Sequence, residues 1–189
     1  MFSHAMLLTL INSDYNICGV ISRPLRNMDD CFDLSDIAGT IEYWQTNNIN
    51  DEVDKIKAMR PDIIYCLGFR QIIGPEILSV CPIIGFHPTP LPKMRGCSPI
   101  VWALIMKLNE TASTFFLMDE GADSGDILSQ ERVPIKECDT VRTLYGRIID
   151  TAKRQILKLD ITERTAQDHS QATYLRKRIK GQEDVWLEY

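Results

Sequence analysis

IIGFHPTPLPKMRG, residues 83–96, is the stretch on which the reading of this chain turns. Ile83 to Phe86 reads as a short buried strand that delivers His87 at its carboxyl end. Pro88, Pro90 and Pro92 then stiffen the following loop, each fixing its own backbone angle and biasing the residue before it towards an extended shape. In open α/β sheets, ligands sit outside the carboxyl ends of the strands, which makes His87 a candidate site residue. A second stretch, DEGADSGD, residues 119–126, is a turn of glycine and acid between strand-like residues 114–118 and 127–134. It is suited to return Asp123 to the sheet edge that carries His87. A lone histidine is more often a satisfied core residue, and a lone aspartate a turn residue bonding its own backbone. Together on rigid elements they match the ordinary machinery of proton transfer.

Outward from these stretches, strands and helices alternate. Met6, Leu7, Leu10 and Ile11 recur at helical spacing, so residues 3–12 read as an amphipathic helix. Residues 17–22 and 63–67 read as buried strands, 23–38 as irregular, and 40–43 as a short strand. Residues 51–60 have acids at the start and bases at the end, as a helix dipole favours, and Pro75 opens a short helix over 75–80. Residues 99–107 read as a helix. A long helix follows from Thr140 to about Leu159, capped by Asp139, with Leu144, Ile148, Ile149 and Ala152 inside. The alternation predicts an α/β fold, a mostly parallel sheet with helices on both faces. Only Met1 and Phe2 precede the first helix, so the opening strand of such folds is missing; a truncated or misassigned start is the expectation.

Composition narrows the function classes. The chain has 189 residues, 44% hydrophobic and 25% charged, the profile of one ordinary globular domain. A net charge of −5 argues against a general nucleic-acid binder, since phosphate backbones are gripped by clustered Lys and Arg. Six cysteines without C-x-x-C spacing read as buried, reduced thiols, and three scattered histidines give no support for a metal site. No apolar run approaches ~18 residues and no signal peptide is visible, so the expected location is the cytoplasm and no membrane partner is foreseen.

HPTPLPKMRG followed by SPIVWAL, then TASTFFLMDEGADSGDIL, resembles the catalytic domain of the 10-formyltetrahydrofolate-dependent formyltransferases. In that family a histidine precedes a Leu-Pro loop and an aspartate follows thirty-odd residues later in a G-x-D-[ST]-G-D turn; here the interval from His87 to Asp123 is 123 − 87 = 36 residues. The resemblance implies a Rossmann-like formyltransferase fold, with residues 1–160 as an N-terminally truncated catalytic domain and 161–189 as a tail packing on or extending it. It departs at Gly85, where the family has an asparagine whose amide donates to the oxyanion.

By resemblance, an amine attacks the formyl carbon of 10-formyltetrahydrofolate, the co-substrate. A protonated His87 then steadies the oxyanion, while Asp123 orients His87 and takes the amine proton. Phe69, Gln71 and Ile73 would wall the pterin pocket, and the backbone of Asp119, Glu120, Gly121 and Ala122 would supply polar contacts. Thr89, Lys93, Arg95 and Trp102 would face the acceptor, with Arg95 meeting a phosphate. An ordered water, or the Gln71 amide, would fill the slot left by Gly85. Residues 174–186, YLRKRIKGQEDVW, resemble a segment of sugar N-formyltransferases. The implied acceptor is a small-molecule primary amine, on a nucleotide-linked amino sugar. A methionyl-tRNA formyltransferase-like enzyme and an inactive folate-binding relic are the alternatives, and a homodimer is an admissible assembly.

Overall fold

A computed structural model of the chain describes residues 1–24, 33–69 and 71–177. These form two compact units, residues 1–84 and the residues from Gly85 onward. The last part of the resemblance to sugar N-formyltransferases, residues 178–186, lies outside the described residues.

The first unit opens with α1 (Phe2–Ile11), which buries Phe2, Met6, Leu7 and Leu10 yet exposes Leu8. Its sequence, FSHAMLLTLI, is apolar around most of its circumference, so it is less amphipathic than its spacing suggests. Next come β1 (Val20–Ser22), α2 (Ser35–Ala38), β2 (Tyr43–Gln45), a 3-10 turn (Ile49–Glu52), α3 (Val53–Met59), β3 (Ile64–Cys66) and α4 (Pro75–Leu78). β1 and β2 pair in parallel, Val20 opposite Tyr43. Leu7, Val20 and Leu34 bury together, with Ile11, Ile17, Ile37, Ile41 and Tyr43 packed around them. Residues 40–42 do not join the strand predicted there. The Ile41 amide instead donates to the Ala38 carbonyl, closing a turn through Gly39 at φ 58°.

β4 (Ile83–His87) runs from the first unit into the second. The second unit continues with β5 (Arg95–Gly96), α5 (Pro99–Ile105), β6 (Glu110–Leu117), β7 (Ile127–Pro134), α6 (Val141–Ile156), a 3-10 turn (His169–Gln171) and β8 (Tyr174–Leu175). β4 lies beside β6, which forms a long antiparallel hairpin with β7, Glu110 opposite Pro134. β5 and β8 make a separate parallel pair, Arg95 opposite Tyr174. Parallel pairs thus coexist with an antiparallel hairpin added at the edge, the arrangement of many α/β sheets.

β6 starts four residues earlier than the apolar run predicts, because Glu110, Thr111, Ala112 and Ser113 pair with β7 although only Ala112 is apolar. Residues 111–116 are buried at every position, so the strand is covered on both faces. Ile100, Val133, Leu144 and Ile148 form the core beneath α5 and α6, with Phe86 and Leu104 against them.

The long helix is capped by Thr140, not Asp139. The Thr140 hydroxyl accepts the Thr143 amide, and Thr143 returns the contact to the Thr140 amide. Asp139 is taken instead by Arg147, whose NH1 and NH2 donate to its two oxygens at 2.9 and 2.8 Å. The cysteines also differ from expectation: Cys18, Cys97 and Cys138 are exposed and Cys66 and Cys81 half-buried, all with free thiols. Partial burial pushes the Cys66 thiol up to about 11, which keeps it protonated and unreactive.

The Arg147 hydrogen bonds, with the Lys136 amide and Thr143 hydroxyl in support, hold the Asp139 carboxyl well below its ordinary value of 3.8. A depressed folded-state value gives stability that is present above the ordinary value and lost as pH falls below it. Asp139→Asn should therefore lower stability at neutral pH and flatten its decline between about pH 4 and pH 2. Denaturant midpoints across that range are the measurement; an acid limb as steep as wild type would refute the assignment.

Candidate active site

His87 ends β4 with its side chain buried, 5% exposed. Its Nε2 lies 2.8 Å from the Met94 carbonyl oxygen. A carbonyl only accepts, so this nitrogen carries a proton. The other ring nitrogen, Nδ1, faces Asp123 Oδ2 at 3.6 Å, beyond hydrogen-bond length but within ion-pair range. The two residues named from the sequence are thus neighbours.

Asp123 is set by its turn. Its φ is 54°, a left-handed conformation that aspartate tolerates better than most residues. Oδ2 accepts the Gly96 amide at 2.9 Å. Asp119 Oδ1 accepts both the Gly121 amide and the Ser124 hydroxyl, closing the turn on itself. A Cβ on Gly125 would stand 1.8 Å from the Leu117 carbonyl oxygen, so the backbone approach demands glycine there. Gly96 is required for a similar reason: φ is 100° and a Cβ would meet the Leu175 oxygen at 2.6 Å.

The loop after His87 is fixed from β6. Thr111 and Thr114 donate to the Pro88 and Thr89 carbonyls at 2.7 and 2.6 Å. Thr89, expected to face the acceptor, is fully buried, and its hydroxyl donates to the Lys93 carbonyl, so it serves the loop. Lys93 is exposed.

Arg95 also departs from the sequence reading. It is 1% exposed and donates to Tyr174 Oη, Gln167 Oε1 and His169 Nδ1 within the second unit, so it is no surface charge. Its position is explained by β5: pairing with β8 turns its side chain inward. Trp102 is half-buried and donates to the Arg176 carbonyl at 3.2 Å.

Position 85 is filled. A Cβ there would meet Phe116 Cζ at 2.8 Å and Met118 Cγ at 2.9 Å, so no room is left for an ordered water in place of a side chain. The Gln71 oxygen accepts the Ile49 amide at 2.9 Å, and one hydrogen of its nitrogen goes to the Asn47 carbonyl. The water suggested for this slot is overturned, since Phe116 and Met118 take the space it needed. In the first unit Phe69 is half-buried and Ile73 buried; residues 119–122 of the second unit are exposed.

Comparison with known proteins places this geometry. The family model described as formyl transferase matches residues 31–159. The chain belongs to the formyl transferase family. A methionyl-tRNA formyltransferase of Kosmotoga olearia is 31% identical over 205 aligned residues, covering 100% of this chain and 66% of that protein. Across the first curated relatives, the chain spans 41 to 66% of their length. Among solved structures, phosphoribosylglycinamide formyltransferase from Streptococcus pneumoniae superposes with a TM-score of 0.69 at 21% identity, covering 82% of this chain and 91% of that one. A 4-N formyltransferase from Francisella tularensis gives 0.63 at 22% identity over 75% and 60% of the two chains. The fold is accordingly the Rossmann-like α/β fold of formyltransferases.

The residues that hold the pair, Met94, Gly96, Gln167 and Thr173, were not singled out from the sequence. Gly96 was visible as the glycine closing the proline loop. The backbone carbonyl of Met94 has no signature, and Gln167 stands in a polar stretch without periodicity.

The filled slot yields a prediction. Gly85→Asn should lower stability by about 1–3 kcal/mol through overpacking against Phe116 and Met118, with no gain in turnover. Thermal melts with parallel rate measurements test it. A fully stable variant, or one much faster than wild type, would mean that the slot opens readily.

Proposed function

We propose that this chain transfers a formyl group from 10-formyltetrahydrofolate to a primary amine, and that the amine belongs to a nucleotide-linked amino sugar. The observation that carries the reading is the His87–Asp123 pair, 3.6 Å apart, in a chain of the formyl transferase family. The residues fit the donor in one respect that can be checked: His87 and Asp123 stand together at the end of β4, beside a turn, residues 119–122, whose exposed residues are open to a polar ring edge. 10-Formyltetrahydrofolate supplies the activated formyl group when bound.

The geometry shifts the division of labour. Both His87 nitrogens are engaged, Nε2 by Met94 and Nδ1 beside Asp123. We therefore assign to Asp123 the acceptance of the proton that leaves the acceptor amine, through the oxygen not bound to Gly96, and its delivery to the folate nitrogen as that nitrogen's bond to the formyl carbon breaks. His87 steadies the carboxylate and, with a second proton on Nδ1, supplies positive charge where the carbonyl oxygen becomes negative. Pairing with Gly96 and Met94 orients both groups before substrate arrives, so no reorganisation is needed during reaction.

For the acceptor, the net charge of −5 supports a small amine over a large polyanion. One observation favours methionyl-tRNA instead: a relative 31% identical across the whole of this chain carries that name. No helix among the described residues is long and apolar enough to cross a membrane. The free thiols accord with a reducing compartment such as the cytoplasm.

Two assays test this. Asp123→Asn and His87→Ala should each lower formyl transfer by at least ~10²-fold while leaving binding of the formyl donor within a small factor. Near-normal turnover in either variant would remove the mechanism. Nucleotide-linked 4-amino sugars and charged initiator tRNA, offered separately, decide the acceptor: formylation of the tRNA alone replaces the sugar reading. Transfer to neither leaves the inactive relic.

A further inference from the structure

The segment after α6 is exposed almost throughout, from Thr162 to Ala166 and again from Asp168 to Gln171. Between them Gln167 is 6% exposed. A long polar side chain driven inward from a solvated stretch loses hydration and rotamer freedom, so its contacts must compensate. They do. Gln167 Nε2 donates to the Asp123 carbonyl at 3.0 Å and to the Gly125 carbonyl at 2.6 Å, bracketing Ser124. Oε1 accepts Arg95 NH2 at 2.6 Å.

We propose that Gln167 is a positioning residue for the candidate catalytic carboxylate, a role that rests on the formyl-transfer reading above. Asp123 holds a left-handed backbone, φ 54°, a conformation disfavoured for a residue with a Cβ. The Gln167 amide binds the carbonyls on both sides of Ser124 and so favours the turn in which the Asp123 side chain meets Gly96 and faces His87. Arg95 fixes the amide in turn. Its guanidinium is buried, it donates to Tyr174 Oη, Gln167 Oε1 and His169 Nδ1, and Gln167 gives the shortest of these contacts.

The segment is registered from both ends. Thr165 and Ile127 exchange two backbone hydrogen bonds at 2.8 Å, two residues before Gln167. Thr173 accepts the Met94 amide at 2.8 Å through its hydroxyl and the Arg95 amide at 2.9 Å through its carbonyl. One short stretch thus reaches the Asp123 turn and the residue that holds His87. All of it lies beyond residues 31–159, the part matched by the family model.

Gln167→Glu separates positioning from folding. The introduced carboxylate keeps an acceptor for Arg95, now as a charge pair, but loses both donors and sets an oxygen against the Asp123 and Gly125 carbonyls. We expect a folded protein, its melting temperature lowered by a few degrees because the Arg95 charge pair offsets only part of the two lost hydrogen bonds, and kcat lowered about tenfold to hundredfold, the scale of a small misplacement. KM for the formyl donor should change less than kcat, since the altered contacts fall on Asp123 and Gly125 and not on residues 119–122 themselves. Gln167→Leu, which leaves Arg95 short of an acceptor, should lower both kcat and melting temperature. A Gln167→Glu variant with wild-type kcat would overturn the proposal.

A second readout needs no turnover: the ring-nitrogen NMR signals of His87 should move in Gln167→Glu as the facing carboxylate shifts. Unmoved signals in a folded variant would also overturn it. If wild type transfers no formyl group, the functional reading fails, and these signals still decide whether Gln167 positions the pair.

Discussion

Two backbone groups on one short segment hold the His87–Asp123 pair: the Met94 carbonyl, which accepts a hydrogen bond from His87, and the Gly96 amide, which donates to Asp123. They are two residues apart on a segment whose only regular structure is β5, itself two residues long. So short a strand has little stability of its own. It is placed by pairing with β8 and by the Thr173 contacts, and it requires glycine at position 96 because the Leu175 carbonyl comes so close. A side chain holding a side chain can swing on its rotamers; a backbone group can move only if the chain moves. The arrangement makes the relation of His87 to Asp123 a property of the fold.

The same logic explains the polar face of β6. A strand buried on both sides would ordinarily be apolar throughout, yet Thr111, Ser113 and Thr114 lie inside it. Thr111 and Thr114 donate to carbonyls in the proline loop. The prolines remove amide donors from that loop, so few remain to serve its carbonyls: the Leu91 and Lys93 amides donate to the Thr89 and Pro90 carbonyls. β6 adds hydrogens from its side chains, to Pro88 and a second one to Thr89. The Ser113 hydroxyl has no partner among the described residues, while its carbonyl accepts the Gln155 amide of α6.

Much of this was legible in the chain. The apolar run at Ile83 and the proline spacing gave the strand and its rigid loop, and the glycine–acid turn gave the return of Asp123. What stayed hidden follows from the kind of interaction involved. Periodicity reports which side chains face a core, so it located β4 and α6; it says nothing of carbonyls and amides such as those of Met94 and Gly96. It also missed β6's first residues, whose strand character comes from pairing with β7 and not from hydrophobicity. Arg95 and Gln167 were misplaced or overlooked because polar residues read as exposed by default. Each is buried because it satisfies the other.

Gly85 shows what such a site tolerates. Where relatives suggested by sequence carry an amide, this chain packs Phe116 and Met118 into the space a side chain would take. An apolar wall lowers the local dielectric, and charge interactions beside it strengthen. The lost donor is a loss of one directed hydrogen bond, whereas the gain is spread over every charge nearby. Which effect prevails depends on how rigidly the remaining charges are held, because a weakly held group relaxes away from a developing charge and wastes the stronger field. Here Asp123 and His87 are tied to backbone, and the turn that carries Asp123 is bound again through Gln167. A site so fixed can exchange a donor for a dry wall more readily than one whose catalytic groups depend on mobile side chains.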